Sequence, residues 1–123
     1  MKLGEAIATL DELKANTYTH TNKIAWLSRL DHMVTEQVLR HYVGNEDFVF
    51  DGYNDNTDTN TELLMPEPFA EAYIRYMAAQ IDLNNAEYEE YNNTIELFND
   101  MYQAFKNWYN RNHTAIIATK YFH

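Results

Sequence analysis

The fold of this chain is decided by residues 66–112, which read PEPFAEAYIRYMAAQIDLNNAEYEEYNNTIELFNDMYQAFKNWYNRN. Apolar and aromatic side chains recur here every three or four residues, the period that keeps them on one face of an α-helix. We call this series the aromatic ridge. It consists of Phe69, Tyr73, Met77, Ile81, Tyr88, Tyr91, Ile95, Phe98, Tyr102, Phe105 and Tyr109.

One straight helix over this stretch would be too long for a small domain. At about 1.5 Å per residue it would extend roughly 65 Å, which exceeds the width of a compact chain of this size. No Gly or Pro lies between residues 69 and 112, but Asn84-Asn85 interrupts the apolar period. We therefore predict a long helix over 68–112 that is kinked or split at 83–86, unless a second copy of the molecule covers much of the ridge.

The rest of the chain predicts a mainly α protein. Leu3, Ile7 and Leu10 indicate a first helix over 3–15, and a wide apolar stripe indicates a second over 23–42. A chain of 123 residues forms one domain. We predict a small helical bundle in residues 1–112, with a polar loop or loose hairpin at about 45–65 and an extended C-terminal tail at 113–123.

The segment at 45–65 is the first candidate for chemistry. Its β-prone ends, 48–50 and 63–65, would be the arms of a hairpin, and turn-forming polar residues fill its middle. Weak candidates for cation ligands are Asp51, Asp55, Asp58 and Glu62. A calcium loop of the EF-hand type needs Gly at its sixth position. Counted from Asp51, the sixth residue of this chain is Asn56. We therefore predict a solvated loop without a metal site.

Other catalytic patterns are missing from the sequence. There is no Cys, the three glycines are isolated, and none of the five His residues has the spacing of a helical di-iron or zinc-protease site. Asp31, His32 and Glu36 lie close together along the predicted second helix, which is typical of a surface pairing between an imidazole and an acid. We predict that the protein is not an enzyme and uses no cofactor.

The charge of the chain excludes further classes. Nineteen acidic residues against nine basic ones give a formal net charge of −10. Such a surface repels phosphate backbones and anionic membranes, which argues against specific nucleic-acid binding and against membrane docking. No run of eighteen apolar residues and no signal-peptide core is present. We expect a soluble protein of the cytoplasm, or one assembled there.

The aromatic composition points to protein interfaces. Ten of the residues are Tyr, whose flat apolar ring and polar hydroxyl suit contacts between proteins. The apolar C-terminal tail is either pinned to its own domain or laid on a partner as an added strand. Our candidate interface residues are Tyr88, Tyr91, Tyr102, Trp108, Tyr109, Ile116, Ile117, Tyr121 and Phe122.

Several strings occur in an order that resembles a known family. They are KIAWLSRLD at 23–31, ELLMPEPF at 62–69, AQID at 79–82, EYNN at 90–93 and WYNR at 108–111, with a polar loop containing Tyr53 and Asp58. This order is similar to that of head–tail connector, or neck adaptor, proteins of tailed bacteriophages and prophages. The likeness spans nearly the whole chain, but the family has no site motif from which individual binding residues could be transferred.

The resemblance implies a structural protein of the virion. Such subunits form a ring, commonly of twelve copies, beneath the portal protein, and the ring extends the DNA channel and docks the next neck or tail-completion protein. DNA would pass through without specific binding, and the segment 113–123 would reach the portal. The alternative from a different class is a small acidic helical regulator or inhibitor that binds a basic protein partner.

Overall fold

The computed structural model describes residues 1–116, which form a bundle of α-helices. The helices are α1 (Leu3–Leu13), α2 (His20–Gln37), α3 (Glu71–Asn84) and α4 (Tyr88–Asn112), and a short 3₁₀ helix (Leu39–His41) follows α2. The described residues contain no strand, only two isolated bridges. Every helix within residues 1–116 is too short or too polar to span a membrane. The predicted mainly α bundle with a long C-terminal helix is confirmed.

The observed helix ends correct the predicted ranges 3–15, 23–42 and 68–112. α2 begins at His20 because the Thr19 side chain accepts a hydrogen bond from the backbone nitrogen of Asn22 (3.1 Å) and so caps the helix. α2 ends at Gln37, and the predicted continuation to residue 42 is replaced by the 3₁₀ helix. The helix pattern of the sequence located each element but not its ends.

The long predicted helix is split where the sequence indicated. The backbone nitrogen of Asn85 donates to the carbonyl of Ile81 (2.9 Å), and Ala86 takes the left-handed conformation with φ 58°. The chain therefore reverses within three residues, and α4 packs back along α3 in the most extensive helix contact of the described chain. This reversal resolves the length problem, since neither helix exceeds 25 residues.

Most of the aromatic ridge lies inside this pair of helices. Its buried members are Tyr73, Met77, Ile81, Phe98, Tyr102, Phe105 and Tyr109. The ring of Phe69 on the α3 side packs against Phe105 (5.8 Å between centroids) and Trp108 (5.3 Å) on α4. The two halves of the ridge cover each other. Of the two alternatives for the ridge, the split helix therefore accounts for the burial of these members without a second copy of the molecule.

A buried carboxylate fastens the connection between α2 and α3 to the bundle. Asp31 of α2 is fully buried and accepts hydrogen bonds from the hydroxyls of Tyr53 (2.5 Å) and Tyr73 (2.5 Å) and from the backbone nitrogen of Leu64 (3.2 Å). The Tyr73 hydroxyl in turn accepts from the backbone nitrogen of Met65 (2.6 Å). One side chain thus joins α2, α3 and two points of the connecting segment. We call these contacts the Asp31 network.

The Asp31 network shifts the protonation equilibria of its members. Burial raises the pKa of Asp31 above its ordinary value, and the hydrogen bonds from Tyr53, Tyr73 and Leu64 oppose that rise without cancelling it. Burial and the nearby Asp31 carboxylate also raise the pKa of both tyrosines. Both hydroxyls therefore keep their protons over the range in which proteins are handled, and they act as permanent donors.

The backbone at Gly52 lies close to α2 and holds the same connecting segment in place. Gly52 has φ +89°, and a Cβ at this position would lie 3.1 Å from Ser28 Oγ and 3.2 Å from His32 Nε2. The Ser28 hydroxyl accepts a hydrogen bond from the backbone nitrogen of Tyr53 (3.0 Å). Only a residue without a side chain satisfies both conditions. The segment is thereby pressed onto α2 directly beside Tyr53.

The segment at 45–65 is a loop and not a hairpin. Its predicted arms, 48–50 and 63–65, do not pair with each other among the described residues. Instead, Glu62 forms an antiparallel bridge with Lys2, and the backbone nitrogen of Leu63 donates to the Met1 carbonyl (2.9 Å). The end of the loop is therefore bound to the start of α1.

A second buried carboxylate links three helices. Asp82 of α3 is fully buried, and its Oδ1 lies 2.6 Å from Lys14 Nζ, just beyond α1. Its Oδ2 accepts a hydrogen bond from the Thr94 hydroxyl of α4 (3.0 Å). Lys23 is also buried, and its ammonium donates to Asp11 (2.7 Å). Each of these buried charges has a partner of opposite sign, as burial of a charge requires.

We predict that Asp31→Ala destabilises the protein by at least about 3 kcal/mol, because two hydroxyls and one backbone N–H lose a buried acceptor. Urea unfolding followed by circular dichroism measures this loss. Asp47→Ala is the matched control, since Asp47 is exposed and makes no hydrogen bond or ion pair within residues 1–116. Equal stability of the two variants would contradict the structural role of Asp31.

The contribution of Asp31 to stability should depend on pH. A group whose pKa is higher in the folded than in the unfolded chain stabilises the fold below its unfolded value, here near 3.8, and this contribution is lost as pH rises through the folded pKa. We therefore expect the difference in unfolding free energy between wild type and Asp31→Asn to fall as pH rises above the unfolded pKa.

Asp11→Asn provides the opposite case for this measurement. The hydrogen bond from Lys23 lowers the pKa of Asp11 below 3.8, so its contribution is present above that pH and is lost on acidification. Urea unfolding at several pH values should give slopes of opposite sign for the two variants. The same sign for both would show that the Asp31 environment is misassigned.

Candidate interaction surface

The candidate interface residues fall into three groups in the structure. Tyr88 is 62% exposed at the start of α4, and Tyr91 and Trp108 are half-buried. Tyr102 and Tyr109 are buried. Ile116 is half-buried, whereas Ile117, Tyr121 and Phe122 lie outside the described residues.

The two buried tyrosines make their contacts within their own chain. The Tyr102 hydroxyl donates to Gln37 Oε1 at the end of α2 (3.0 Å), and burial raises the pKa of Tyr102 to about 12. The Tyr109 hydroxyl accepts from Asn45 Nδ2 (2.7 Å), and its ring stacks on His113 at 3.7 Å. Both side chains therefore join α4 to other parts of the bundle.

The start of the C-terminal tail is pinned to the domain. Ala115 forms an antiparallel bridge with Tyr42, and the backbone nitrogen of Val43 donates to the Thr114 carbonyl (2.8 Å). The Tyr42 hydroxyl also donates to Asn110 Oδ1 at the end of α4 (3.1 Å). Of the two alternatives predicted for the tail, attachment to its own domain therefore holds for Thr114 and Ala115.

Three of the four acidic candidates in the loop make separate contacts within the chain. Asp55 accepts from the Thr21 hydroxyl (3.0 Å), Asp58 accepts from the backbone of Asn60 (2.8 Å), and Glu62 pairs with the N-terminal amine (3.1 Å). Within residues 1–116, no group of three or more His, Asp or Glu side chains is placed to hold a metal ion. The weak candidates Asp51, Asp55, Asp58 and Glu62 are thus spread along the loop.

The residues Asp31, His32 and Glu36, predicted to form a surface group on α2, do not lie together. Asp31 points into the core, as described above, whereas His32 is exposed and its ring packs edge-on against Phe50 (4.7 Å). Glu36 forms an ion pair with Arg40 (3.1 Å). Two sequence signals could have placed Asp31 inside: it falls within the apolar stripe of the second helix, and it lies four residues after the buried Leu27.

Helix α4 carries two unlike surfaces along its outer side. From residue 88 to residue 100 it has four acidic residues and no basic one, whereas from 101 to 112 it has Lys106 and Arg111 and no acid. On the acidic half a shallow hollow, here called the α4 hollow, is lined by Asn93, Glu96, Leu97 and Asp100. Leu97 is 48% exposed in this hollow. The α4 hollow therefore combines an apolar centre with two carboxylates.

The basic half of the same helix offers the complementary charge. Arg111 is exposed and makes no ion pair within residues 1–116, whereas Lys106 lies over the ring of Tyr102 at 5.1 Å. Residues 97 and 111 are fourteen apart, which is close to four full helical turns, so Leu97 and Arg111 share one face. At about 1.5 Å per residue they are separated by about 21 Å.

A third exposed feature lies in the loop after α2. Val43, Phe48 and Val49 are 49%, 38% and 74% exposed, a concentration of large apolar side chains in seven residues. Three acidic residues, Glu46, Asp47 and Asp51, surround them in the sequence. Apolar residues bordered by charged ones are typical of contact surfaces.

Comparison with known proteins returned no match for this chain among family models, curated proteins or solved structures.

We predict that Tyr102→Ala and Tyr88→Ala have very different effects on stability. Loss of the buried Tyr102 ring should cost roughly 3 kcal/mol or more, because it leaves a cavity between Phe98 and Phe105 and removes the hydrogen bond to Gln37. Loss of the exposed Tyr88 ring should change stability by less than about 0.5 kcal/mol. Urea unfolding tests both, and a small effect at Tyr102 would contradict its place in the core.

Proposed function

We propose that this chain is a structural subunit of a phage neck, a head–tail connector that assembles into a ring beneath the portal and docks the next neck or tail component. The resemblance of its sequence strings to that family motivates the proposal. In this role the protein acts through its surfaces and performs no catalysis.

The observation that carries the proposal is the division of α4 into an acidic and a basic half. Subunits of a ring contact one another head to tail, so each needs two different surfaces that are complementary. The α4 hollow supplies one surface, with Glu96 and Asp100 around Leu97. Arg111, exposed and without an ion pair within residues 1–116, supplies charge for the other. In such a ring, the acidic half of α4 in one copy contacts the basic half of α4 in the next copy.

The net charge supports the same role. A formal charge of −10 repels a DNA duplex, so a channel lined by such subunits lets DNA slide without adhering. Contact between Arg111 of one copy and Glu96 or Asp100 of the next pairs one basic group with one acidic group. The surface left to the channel then keeps the net negative charge of the chain.

The acidic half of α4 also favours a second function, that of a regulator binding a basic protein. Its four carboxylates lie within thirteen residues of one helix, and a basic partner could dock on them without any self-association. The two functions differ in what the free protein does at high concentration. A connector forms rings or joins the portal, whereas a regulator stays a monomer or a dimer.

We predict that Glu96→Lys and Arg111→Glu each weaken assembly by about tenfold, equivalent to 1.4 kcal/mol, and that the double variant recovers most of the loss. Mass in solution by light scattering and rings counted by negative-stain microscopy, with and without purified portal protein, measure assembly. Glu12→Lys is the matched control, because Glu12 is exposed on α1 and makes no hydrogen bond or ion pair within residues 1–116.

The outcomes separate the two functions. A wild-type protein that stays monomeric at every concentration and ignores portal protein would overturn the connector proposal. If that monomer instead binds a basic protein and loses the binding in Glu96→Lys, the regulator function is favoured. Rings that form equally well in all three variants would show that α4 is not the contact.

A further inference from the structure

The loop that follows α2 carries an exposed apolar group, here called the Val49 patch and defined as Val43, Phe48 and Val49. Val49 is 74% exposed, more than any other large apolar side chain of the described residues. Within residues 1–116, no other stretch of seven residues brings three such exposed side chains together. Clustered apolar side chains on a surface mark a contact site for another molecule.

Two consecutive turns and a contact with α4 hold the start of the Val49 patch. The backbone nitrogen of Asn45 donates to the Tyr42 carbonyl (3.1 Å), and that of Phe48 donates to the Asn45 carbonyl (3.1 Å). The Asn45 side chain also donates to the Tyr109 hydroxyl of α4 (2.7 Å). A surface that is already ordered loses less conformational entropy when a partner binds.

An aromatic contact anchors the chain immediately after the patch. The Phe50 ring packs edge-on against His32 of α2 (4.7 Å between centroids) and against Tyr53 (4.8 Å). The Phe48 ring, in contrast, makes no aromatic contact within residues 1–116. The anchor therefore fixes the backbone beside Val49 and leaves the side chains of the patch available to a partner.

The charge around the patch is of one sign. Between residues 41 and 74 the chain has eight acidic residues and no Lys or Arg. Asp47 and Asp51 bracket Phe48 and Val49 in the sequence, and both carboxylates are exposed. Neither makes a hydrogen bond or ion pair within residues 1–116. Free carboxylates beside exposed apolar side chains attract a segment of the opposite charge.

The same charge argues against other occupants. Two copies of the chain that met through this patch would bring carboxylates against carboxylates, which costs affinity. Arg40, the base that precedes the patch, is already paired with Glu36 (3.1 Å) and donates to the Glu46 carbonyl (3.2 Å). Phosphate backbones and anionic lipids are repelled as well. A basic protein segment is the occupant that fits.

We propose that the Val49 patch is a docking surface for a basic segment of a different protein. An apolar side chain of that segment covers Phe48 and Val49, and Lys or Arg residues beside it pair with Asp47 and Asp51. The apolar contact supplies the affinity, whereas the charges select the partner and speed its approach. The proposal rests neither on the connector function nor on the regulator function, since both of those use α4.

Titration of the full chain with a synthetic peptide of sequence KKLFKK, followed by NMR, tests the proposal. We expect the amide signals of Phe48, Val49 and Asp51 to shift, and the affinity to fall at least about fivefold between about 50 mM and about 300 mM salt. KKSSKK lacks the apolar side chains and EELFEE reverses the charge, so neither should bind. Binding of KKSSKK as tight as that of KKLFKK would overturn the proposal.

Variants of the protein locate the contact. Val49→Ser should weaken the binding of KKLFKK by about tenfold, because it removes the apolar centre of the patch. Leu97→Ser is the matched control and should leave the affinity unchanged, since Leu97 is 48% exposed beside two carboxylates of the α4 hollow. Asp47→Asn combined with Asp51→Asn should weaken binding and remove most of its salt dependence. All these side chains are exposed, so each variant should fold as the wild type does.

Three further outcomes would overturn the proposal. One is the absence of amide shifts with KKLFKK at millimolar concentration. Another is weaker binding in Leu97→Ser but not in Val49→Ser, since the peptide would then occupy the α4 hollow. The third is a fall in the solution mass of the free protein on Val49→Ser, measured by light scattering, because a second copy would then be the occupant.

Discussion

The carboxylate of Asp31 is the interaction on which the rest of this structure depends. Residues 42–70 contain no helix and have to be attached to the bundle by contacts other than a continuous apolar face. Asp31 receives hydrogen bonds from Tyr53 and Leu64 in that segment and from Tyr73 at the start of α3. A single buried acceptor therefore sets where the loop crosses α2 and where the α3–α4 pair joins it. Removal of one member would leave buried polar groups without a partner, which is costly in a low-dielectric interior.

The reversal between α3 and α4 decides what surface remains for partners. Because the aromatic ridge closes on itself, the outside of α4 consists mainly of polar and charged residues around Leu97. A contact made through the outside of α4 would then rely on complementary charge around a small apolar centre. The loop after α2 contributes a further group of exposed apolar side chains, close to the end of the described chain.

The sequence was sufficient to predict the helices and the break at Asn84-Asn85, because both depend on local periodicity. The sequence was not sufficient to predict the burial of Asp31, because its hydrogen-bond partners lie 22, 33 and 42 residues away along the chain. The sequence pattern placed this residue on the surface instead. Periodicity also shows that residues share a face without showing whether that face turns inward, which is why Tyr102 and Tyr109 were assigned to an interface. The β-prone character of 48–50 was visible, but within residues 1–116 this segment does not pair with 63–65.

The close contact at Gly52 has a consequence for how sequences of this fold can diverge. A side chain at that position meets Ser28 and His32 one helical turn apart, and its backbone conformation disfavours every other residue type. A side chain at position 52 would move Tyr53 away from Ser28 and Asp31, which accept its hydrogen bonds, unless the side chains at positions 28 and 32 became smaller at the same time. Three sites on two separate elements are thus expected to vary together, and insertions should accumulate farther along, around Asn56, where the chain is exposed.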